Sequence, residues 1–270
     1  MNRYFFPFPG ETAPGRIKLR YQRFLADIVL EDGSEIIAHV PNSGNMTNCW
    51  EPGARVVVTK HTALKPEKNR KLAYTLQAVE MPDGWVSVNT MNPNKAVAAA
   101  ITEGCIAGFE GYEFLQTEIK SSCGSRFDLA LFHFNYGKWS DQLSFKPERA
   151  TQLRRAEISS PTFPAVIEIK NATMRSDDGV LFPDAKTERG RKHLRHLLEL
   201  KEAGLRAVIL FFAGRSSARW VGPAEIIDPE YAALLKTVVE KGVEAMAVRV
   251  KVSEKGLMLD GLLPIMLGSG

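Results

Sequence analysis

Three charged side chains in the middle of the sequence could carry out hydrolysis together if the fold brings them into contact. Glu168 and Lys170 are two residues apart in the apolar segment 165–173, so a strand there points both side chains to the same face. Asp128 ends the segment Ser-Arg-Phe-Asp at 125–128, which also has a strand-like composition. Because charges on such apolar strands are costly without partners or a chemical role, we expect these groups to converge on one site.

This combination suits the hydrolysis of phosphodiester bonds with a divalent metal ion, as in PD-(D/E)xK nucleases. The carboxylates of Asp128 and Glu168 supply the oxygen ligands that Mg²⁺ or Mn²⁺ prefers. The ion would acidify a bound water, and Lys170 would orient or deprotonate that water. The alternative is a surface Glu–Lys ion pair, which adds little to stability, since a lone Glu-x-Lys pattern often occurs by chance.

A basic segment follows the carboxylate strand and could bind phosphate. Residues 186–196 hold five Lys or Arg and two His against one Glu. Thr187 is suited to cap a helix there, and a helix N-terminus attracts phosphate. The alternative is a solvated basic helix face, which is what charge runs usually form. Because the segment directly follows the carboxylates, we favour a phosphate-binding role that includes Arg189, Lys192 and His193.

Strands and helices alternate in the second half of the sequence, which predicts an α/β domain. The predicted strands are 112–120, 126–134, 165–173, 207–212 and 243–250, and the predicted helices are 187–203 and 228–241. Residues 135–163 are polar and contain Pro, so we interpret them as an inserted surface loop. This insertion accounts for the long spacing between Asp128 and Glu168.

The first 90 residues read instead as short strands separated by turn signals. The predicted strands are 24–30, 36–40, 55–59, 72–79 and 85–88, with turns at Asp32-Gly33, Pro52-Gly53 and Asp83-Gly84. Five such strands fit a small closed barrel such as an OB-fold, with an SH3-like barrel as the alternative. A helix follows at 95–102, and we place the boundary between the domains at 85/86.

The charge distribution points to a polyanionic partner for the first domain. The net charge is +4, and all of the excess lies in residues 1–71, which hold 11 Lys or Arg and 7 Asp or Glu. Basic and aromatic residues interleave there, which suits contacts with a nucleic-acid backbone and stacking on bases: Arg20, Tyr21, Arg23, Phe24, Lys68, Arg70, Lys71 and Tyr74. The alternative for Phe24 and Tyr74 is that both are core residues. The segment 39–46 is rich in turn-forming residues, and the alternative there is that they form a turn and nothing more.

The composition excludes several other classes of protein. With 44% hydrophobic and 24% charged residues, the sequence resembles an average globular protein. No apolar run approaches the roughly 20 residues that span a bilayer. The three cysteines, an odd number without a C-x-x-C spacing, indicate reduced thiols and a cytoplasmic location rather than a disulfide framework or a zinc site.

Several separated motifs together resemble the sugar fermentation stimulation protein A (SfsA) family over residues 20–250. They are RFLAD at 23–27, H-x-P-N-S-G-x-M at 39–46, Arg70-Lys71, SRFD at 125–128, EIKNAT at 168–173 and F-P-D-A-x-T-E-R-G-x-K-H-L at 182–194. The resemblance implies an N-terminal OB-like barrel and a C-terminal α/β domain of PD-(D/E)xK nuclease-like fold. It also implies binding of DNA without marked sequence preference, and a regulatory role in sugar (maltose) metabolism.

The resemblance assigns the acidic and lysine positions of the nuclease fold to Asp128, Glu168 and Lys170, with Glu118 as an extra carboxylate. The alternatives to a DNA-binding regulator are an active Mg²⁺- or Mn²⁺-dependent nuclease acting on DNA or RNA, and an RNA-binding protein. The residues expected to contact nucleic acid are Arg20, Arg23, His39, Asn42, Arg70, Lys71, Arg126, Arg189, Lys192 and His193.

Overall fold

The structure, a computed structural model, describes residues 2–61, 72–133, 141–153 and 163–268. The described residues form a six-stranded sheet, an eight-stranded sheet, a small three-stranded sheet and three α-helices. Arg70 and Lys71, together with Lys68, lie outside the described residues, so their expected contacts with nucleic acid stay predictions.

The six-stranded sheet closes into a barrel near the N-terminus. Its strands are β2 (Glu11–Tyr21), β3 (Leu25–Leu30), β4 (Glu35–His39), β5 (Arg55–Lys60), β6 (Tyr74–Met81) and β7 (Gly84–Ser87). They are ordered β4-β3-β2-β5-β6-β7, and β4 also pairs with β6, which closes a ring of five strands. Ile17, Ile28 and Val58 are among the apolar side chains that fill its interior. The expected OB barrel is therefore present.

One barrel strand differs from the sequence expectation. The ring contains β2, which the sequence patterns miss, whereas β7, predicted as the fifth strand, extends the sheet beyond the ring. Pro14 and Gly15 weaken the strand signal of β2, since both residues are unfavourable inside strands. A shift of register between Ile17 and Leu19 also interrupts its alternation of inward and outward side chains.

The eight-stranded sheet forms the centre of the α/β part. Its strands are β1 (Tyr4–Pro7), β8 (Phe114–Lys120), β9 (Arg126–Phe132), β10 (Thr151–Gln152), β11 (Ala165–Ala172), β14 (Arg206–Ala213), β16 (Glu244–Val252) and β17 (Gly256–Leu262). They are ordered β1-β17-β16-β14-β11-β9-β8-β10, and β11, β14 and β16 are parallel. A small sheet of β12 (Met174–Ser176), β13 (Gly179–Phe182) and β15 (Val221–Pro223) lies beyond β11 in the chain.

Helices cover both faces of the large sheet. The helix α1 (Asn92–Thr102) packs on one face, and α2 (Glu188–Glu202) and α3 (Pro229–Glu240) pack on the other. Thr187 caps α2 as expected, because its side chain accepts a hydrogen bond from the Gly190 N–H. Alternation along β11 sends Ile167 and Ile169 into the α1 layer and leaves Glu168 facing α2.

The described part of the expected insertion packs against the sheet. Residues 141–153 include a short 3₁₀ helix (Pro147–Arg149) and β10, which pairs with β8 at the edge of the large sheet. Leu143 and Leu153 are buried in the two core layers. This part is therefore attached to the fold by a strand and by apolar side chains, rather than projecting as a loop.

A buried arginine joins the barrel region to the α/β part. Arg215 donates two hydrogen bonds to the Asp83 carboxylate, at 2.7 and 2.9 Å, and only 2% of its side chain is exposed. Its remaining N–H groups donate to the carbonyl oxygens of Asn48 and Thr173. A buried guanidinium satisfied in this way fixes the two regions against each other.

Candidate functional site

The strands β9 and β11 stop pairing at Asp128 and Glu168, and this divergence opens the site. The last paired residues are Leu129 and Ile167. Beyond them, Oδ2 of Asp128 accepts a hydrogen bond from the Ile169 N–H (2.8 Å), which replaces the missing strand partner. Nδ2 of Asn94, at the start of α1, donates to Oδ1 of Asp128 (2.5 Å). Helix and strand together therefore fix the Asp128 carboxylate.

Glu168 is buried and holds one side of the site. Its Oε1 accepts hydrogen bonds from Nζ of Lys170 (2.6 Å) and from Nδ1 of His193 on α2. Its Oε2 is buried and receives no hydrogen bond from the described residues, and the same is true of Oδ1 of Asn171. Buried oxygen atoms without donors are uncommon in proteins, since each loses its hydration. Glu168 and Asn171 both line the cavity described below.

The pKa values of the two carboxyl groups are shifted in opposite directions. Burial raises the pKa of Glu168, but the Lys170 ammonium and the His193 hydrogen bond outweigh it, so the pKa lies below its usual value. Burial, and then the charge of Glu168, raise the pKa of Asp128 to about 6. The pair therefore carries close to two negative charges at neutral pH, and a nearby divalent cation would favour that state.

His193 positions Glu168 and does not face solvent. It is buried, and its Nδ1–H donates to Glu168 while Nε2 faces the Nε–H of Arg189 at 3.5 Å. The ring therefore supports the carboxylate from behind, and the expected contact of His193 with nucleic acid stays a prediction.

A cavity of about 540 Å³ contains these groups and opens toward both parts of the fold. Its lining combines the buried Glu168 and the half-buried Asp128 and Asp184 with basic side chains that are mostly more exposed. Its charged lining residues are Asp128, Glu168 and Asp184, and Arg23, Lys170, Lys186 and Arg189. This volume is typical of sites for small ligands or single groups of a polymer. Its charges suit a cation inside and an anion at the entrance.

The barrel contributes one wall of the cavity through the loop 42–46. Asn42 shapes the loop, since its Oδ1 accepts from the Gly44 N–H and its Nδ2 donates to the carbonyl oxygen of Val88, each at 2.9 Å. A Cβ atom on Gly44 would lie 2.5 Å from the Asp184 carboxylate, so only glycine allows this approach. The Met46 N–H donates to the same carboxylate (2.9 Å). The loop thus binds the segment before α2.

Arg20 and Arg23 have different roles, although both were expected to contact nucleic acid. The Arg20 guanidinium donates to four backbone carbonyl oxygens of the neighbouring loops: those of Arg23, Asn42, Gly44 and Asn45. It therefore stabilises the cavity wall. Arg23 is exposed and lines the cavity, where its charge is available to a ligand.

Several expected site residues lie elsewhere. Glu118 is exposed and forms an ion pair with Arg126 (2.9 Å), away from the cavity lining. Lys192 is exposed on α2, and His39 is half-buried at the end of β4; neither lines the cavity. Asp128, Glu168 and Lys170 are therefore brought together, whereas Glu118 is not among them.

Sequence reasoning missed four residues that shape the cavity: Asn94, Asn171, Asp184 and Lys186. Asp184 and Lys186 lie in the segment 182–194 and Asn171 in the segment 168–173, so their positions were marked but their roles were not. Asn94 follows Pro93 at the start of α1 and has no distinguishing sequence signal. Its role depends on tertiary packing alone.

Metal-ligating side chains also meet at a second place, outside the cavity. Cys123, His196 and Glu199 each offer one ligand atom, and these atoms lie within 4.8 Å of one another. Residues able to hold a metal ion are therefore present in the described part of the chain. Within the same residues, no helix is long and apolar enough to cross a membrane.

The protein is of a two-part class, in which a closed OB barrel is joined to an α/β sheet. The barrel forms one wall of the cavity that holds the carboxylates and the lysine. The family model described as "SfsA N-terminal OB domain" matches residues 19–88, and the one described as "Sugar fermentation stimulation protein RE domain" matches residues 91–256. The chain therefore belongs to the sugar fermentation stimulation protein family, as its motifs predicted.

Similar proteins extend over nearly the whole chain. A sugar fermentation stimulation protein homolog of Geobacter sulfurreducens is 39% identical over 261 residues, covering 96% of this chain and 98% of that protein. A homolog from Geotalea uraniireducens is 37% identical over 257 residues, covering 95% and 98%. The structure of Pyrococcus furiosus SfsA in complex with Ca²⁺ is 21% identical and has a TM-score of 0.76, covering 97% and 99%, which shows a shared fold.

Proposed function

We propose that this protein binds nucleic acid without sequence preference and that its cavity hydrolyses phosphodiester bonds with Mg²⁺ or Mn²⁺. The observation that carries the proposal is the pair Asp128 and Glu168, which lies beside Lys170. The pair includes a buried oxygen, Oε2 of Glu168, that has no hydrogen-bond donor among the described residues. This is the combination expected of a PD-(D/E)xK nuclease-like site.

The residues of the cavity fit a hard divalent cation. Oε2 of Glu168 has no hydrogen-bond partner among the described residues, and both oxygens of Asp128 keep lone pairs beyond the single hydrogen bonds that they accept. When bound, the ion supplies an acidified water and stabilises phosphate charge. The Pyrococcus furiosus protein is in complex with Ca²⁺, which is itself a hard cation, and this supports such a preference in the family.

The mouth of the cavity suits the phosphate of a nucleic acid. Arg23, Lys186 and Arg189 line it, and all three are exposed. The N-terminus of α2 also opens here at Thr187, which adds the partial positive charge of a helix start. These charges would hold the backbone while the buried carboxylates hold the cation.

Lys170 is placed to act on the reacting groups. Its ammonium is held by Glu168 and lines the same cavity as Asp128. From there it can orient the attacking water or hold a phosphate oxygen, and its ion pair with Glu168 fixes its position before substrate arrives. His193 contributes by orienting Glu168 from α2.

The barrel surface next to the cavity suits unpaired bases. Phe24 is 45% exposed in the turn that also carries Arg23, and Leu19 and Ile37 are exposed on neighbouring strands. An exposed aromatic ring beside basic side chains is typical of surfaces that stack bases of single-stranded DNA or RNA without reading sequence. We therefore include DNA, and RNA as an alternative, as partners.

A DNA-binding regulator with an idle cavity is the second candidate. Lys170 and His193 already occupy Oε1 of Glu168, so the cavity has an internally paired state without a cation. The name of the relatives refers to stimulation of sugar fermentation. A regulatory role in sugar (maltose) metabolism fits that name and would need binding alone.

Cleavage assays separate the two candidates. Labelled single- and double-stranded DNA and RNA are incubated with Mg²⁺, with Mn²⁺ or with EDTA. The proposal expects metal-dependent cleavage by the native protein and by Glu118→Gln, but not by Glu168→Gln or Lys170→Met. Intact substrates that are still bound by the native protein, in every metal tested, would favour the regulator instead.

A further inference from the structure

The tip of the β8–β9 hairpin meets the middle of α2 at a cluster of three metal-ligating side chains. Cys123 lies in the turn between the two strands. His196 and Glu199 lie three residues apart on α2 and so share one face of the helix. One ligand atom from each residue lies within 4.8 Å of those of the other two.

Two serines of the hairpin support the cluster from outside. Oγ of Ser125 is hydrogen-bonded to Nδ1 of His196 (2.5 Å), and Oγ of Ser121 lies 3.0 Å from Sγ of Cys123. A ligating histidine usually binds the metal through one ring nitrogen and is oriented by a hydrogen bond at the other. Ser125 provides such a bond at Nδ1, so Nε2 would be the nitrogen that binds the metal.

We propose that Cys123, His196 and Glu199 bind Zn²⁺, with a water as the fourth ligand. Thiolate, imidazole and carboxylate are the three ligand types of protein zinc sites. The thiol loses its proton on binding, so the thiolate and the carboxylate together balance the charge of the ion.

The spacing of the cluster is close to that of a tetrahedral site. Zinc bonds of about 2.0–2.3 Å place neighbouring ligand atoms roughly 3.3–3.8 Å apart. The ligand atoms lie within 4.8 Å of one another, so at most about 1 to 1.5 Å is left to close. Glu199 is exposed and Cys123 is half-buried, so rotation of these side chains can close that distance.

This site differs in chemistry from the cavity and would be coupled to it through the fold. The cavity offers carboxylate and amide oxygens, which favour Mg²⁺ or Mn²⁺, whereas the cluster offers sulfur and nitrogen, which favour Zn²⁺. The hairpin leads into β9, which carries Asp128, and α2 carries His193. A zinc ion at the cluster would therefore clamp together the two elements that carry Asp128 and His193.

Zinc titration of the reduced, full-length protein tests the proposal. A chromophoric chelator as competitor gives the affinity for Zn²⁺, and Co²⁺ as a substitute gives the absorption of a metal–thiolate bond. We expect one Zn²⁺ per chain. Cys123→Ser and His196→Gln should each weaken binding more than about 100-fold, and Ser125→Ala, which removes an outer partner, about 10- to 100-fold.

Matched variants in the cavity separate this site from the proposed metal site there. Asp128→Asn and Glu168→Gln should bind Zn²⁺ as tightly as the native protein and keep the Co²⁺–thiolate absorption. Zinc should also raise the melting temperature of the native protein and of these two variants, but not that of Cys123→Ser. This thermal readout also shows that each variant folds.

Thiol labelling gives a second readout that does not depend on affinity. Cys49 and Cys105 are buried, so Cys123 is the thiol of the folded protein that reagents reach first. Zn²⁺ should slow its labelling. The proposal is overturned if the native protein binds no Zn²⁺, if Cys123→Ser and His196→Gln bind it unchanged, or if binding is lost only in Asp128→Asn and Glu168→Gln.

Discussion

Glu168 and Glu118 lie on strands that flank β9, yet their surroundings are opposite. The Glu168 side chain is 4% exposed and is held by Lys170 and His193, and one of its oxygens has no donor within the part of the chain that the structure describes. The Glu118 side chain is 57% exposed and forms an ion pair with Arg126 at the surface. A buried charge is costly unless it is paired or has a chemical role, whereas a solvated ion pair is typical of an ordinary surface.

The backbone explains why Glu118 leaves the site. Its φ of 55° lies in the left-handed region, which is uncommon for a residue other than glycine and breaks the alternation of β8 at that position. The neighbouring residues Thr117 and Ile119 stay in regular pairing with β9. Strand order alone therefore brings three segments together, but local backbone geometry decides which carboxylates face one another.

The largest expected effect compares these two glutamates directly. Glu168→Gln should lower metal-dependent cleavage by at least about 10²- to 10⁴-fold, because it removes a charged ligand and the partner of Lys170. Glu118→Gln should stay within about twofold of the native rate, because its partner is solvated. Initial rates of cleavage of labelled oligonucleotides measure both effects. Equal losses of rate in the two variants would contradict the different roles assigned to Glu168 and Glu118.

The contrast between a buried and an exposed ion pair also applies to stability, where Arg215 is compared with Arg126. Arg215→Met should lower the free energy of unfolding by about 3–5 kcal/mol, because it leaves the Asp83 carboxylate without its buried partner. Arg126→Met should change it by less than about 0.5 kcal/mol, because both members of its pair are exposed. Urea unfolding measures both values. A loss below about 1 kcal/mol for Arg215→Met would show that this link is dispensable.

The pH dependence of metal binding tests whether Asp128 is a ligand of the cation. Its pKa of about 6 means that protons compete with the cation below that pH, so Mn²⁺ affinity should fall up to about tenfold per pH unit there. Calorimetric titration between pH 5 and pH 8 measures this dependence. Asp128→Asn should bind Mn²⁺ weakly with no such dependence, and Glu118→Gln should behave as the native protein. A flat profile for the native protein would contradict the assignment.

The same group affects the stability of the metal-free protein in the opposite direction. The folded protein holds the Asp128 proton up to about pH 6, whereas the unfolded chain releases it near the ordinary value of 3.8. Between those values, the folded state binds more protons, so the contribution of Asp128 to stability falls as pH rises. The difference in unfolding free energy between native protein and Asp128→Asn isolates this contribution.

The smallest expected effects separate basic residues at the cavity mouth from basic residues elsewhere. Arg23→Gln and Arg189→Gln should each weaken binding of single-stranded DNA and reduce the slope of log affinity against log salt by about 1. Arg126→Gln serves as the matched control, because Arg126 is engaged by Glu118 away from the cavity. Fluorescence anisotropy at several salt concentrations measures the slopes. Equal slopes for all three variants would place the binding surface elsewhere.

Much of the architecture follows from local sequence patterns. The apolar run that became β14, the capped helix α2 and the turn-rich strands of the barrel all have signals that act over a few residues. The sequence patterns do not predict the strand β2, because Pro14 and Gly15 weaken its strand signal. The convergence of Asp128, Glu168 and Lys170 was predictable because the strands that carry them could be predicted from local patterns and expected to be neighbours.

Contacts between distant segments were not predictable in the same way. The fit of Gly44 against Asp184 joins positions 140 residues apart, and nothing in either segment specifies the other. His193 looked like part of a basic face, but the turn of α2 buries it against Glu168. Cys123 gave no zinc signal, because its neighbours in space come from a helix more than 70 residues later. Tertiary packing alone creates these arrangements.

A crystal structure of the protein with Mn²⁺ shows whether Asp128 and Glu168 hold a divalent cation. Anomalous scattering locates the ion independently of any assumed site. We expect a peak within about 2.6 Å of oxygen atoms of both Asp128 and Glu168, and its loss in crystals of Glu168→Gln. A map with no peak between these carboxylates, or with manganese bound only elsewhere, would contradict it.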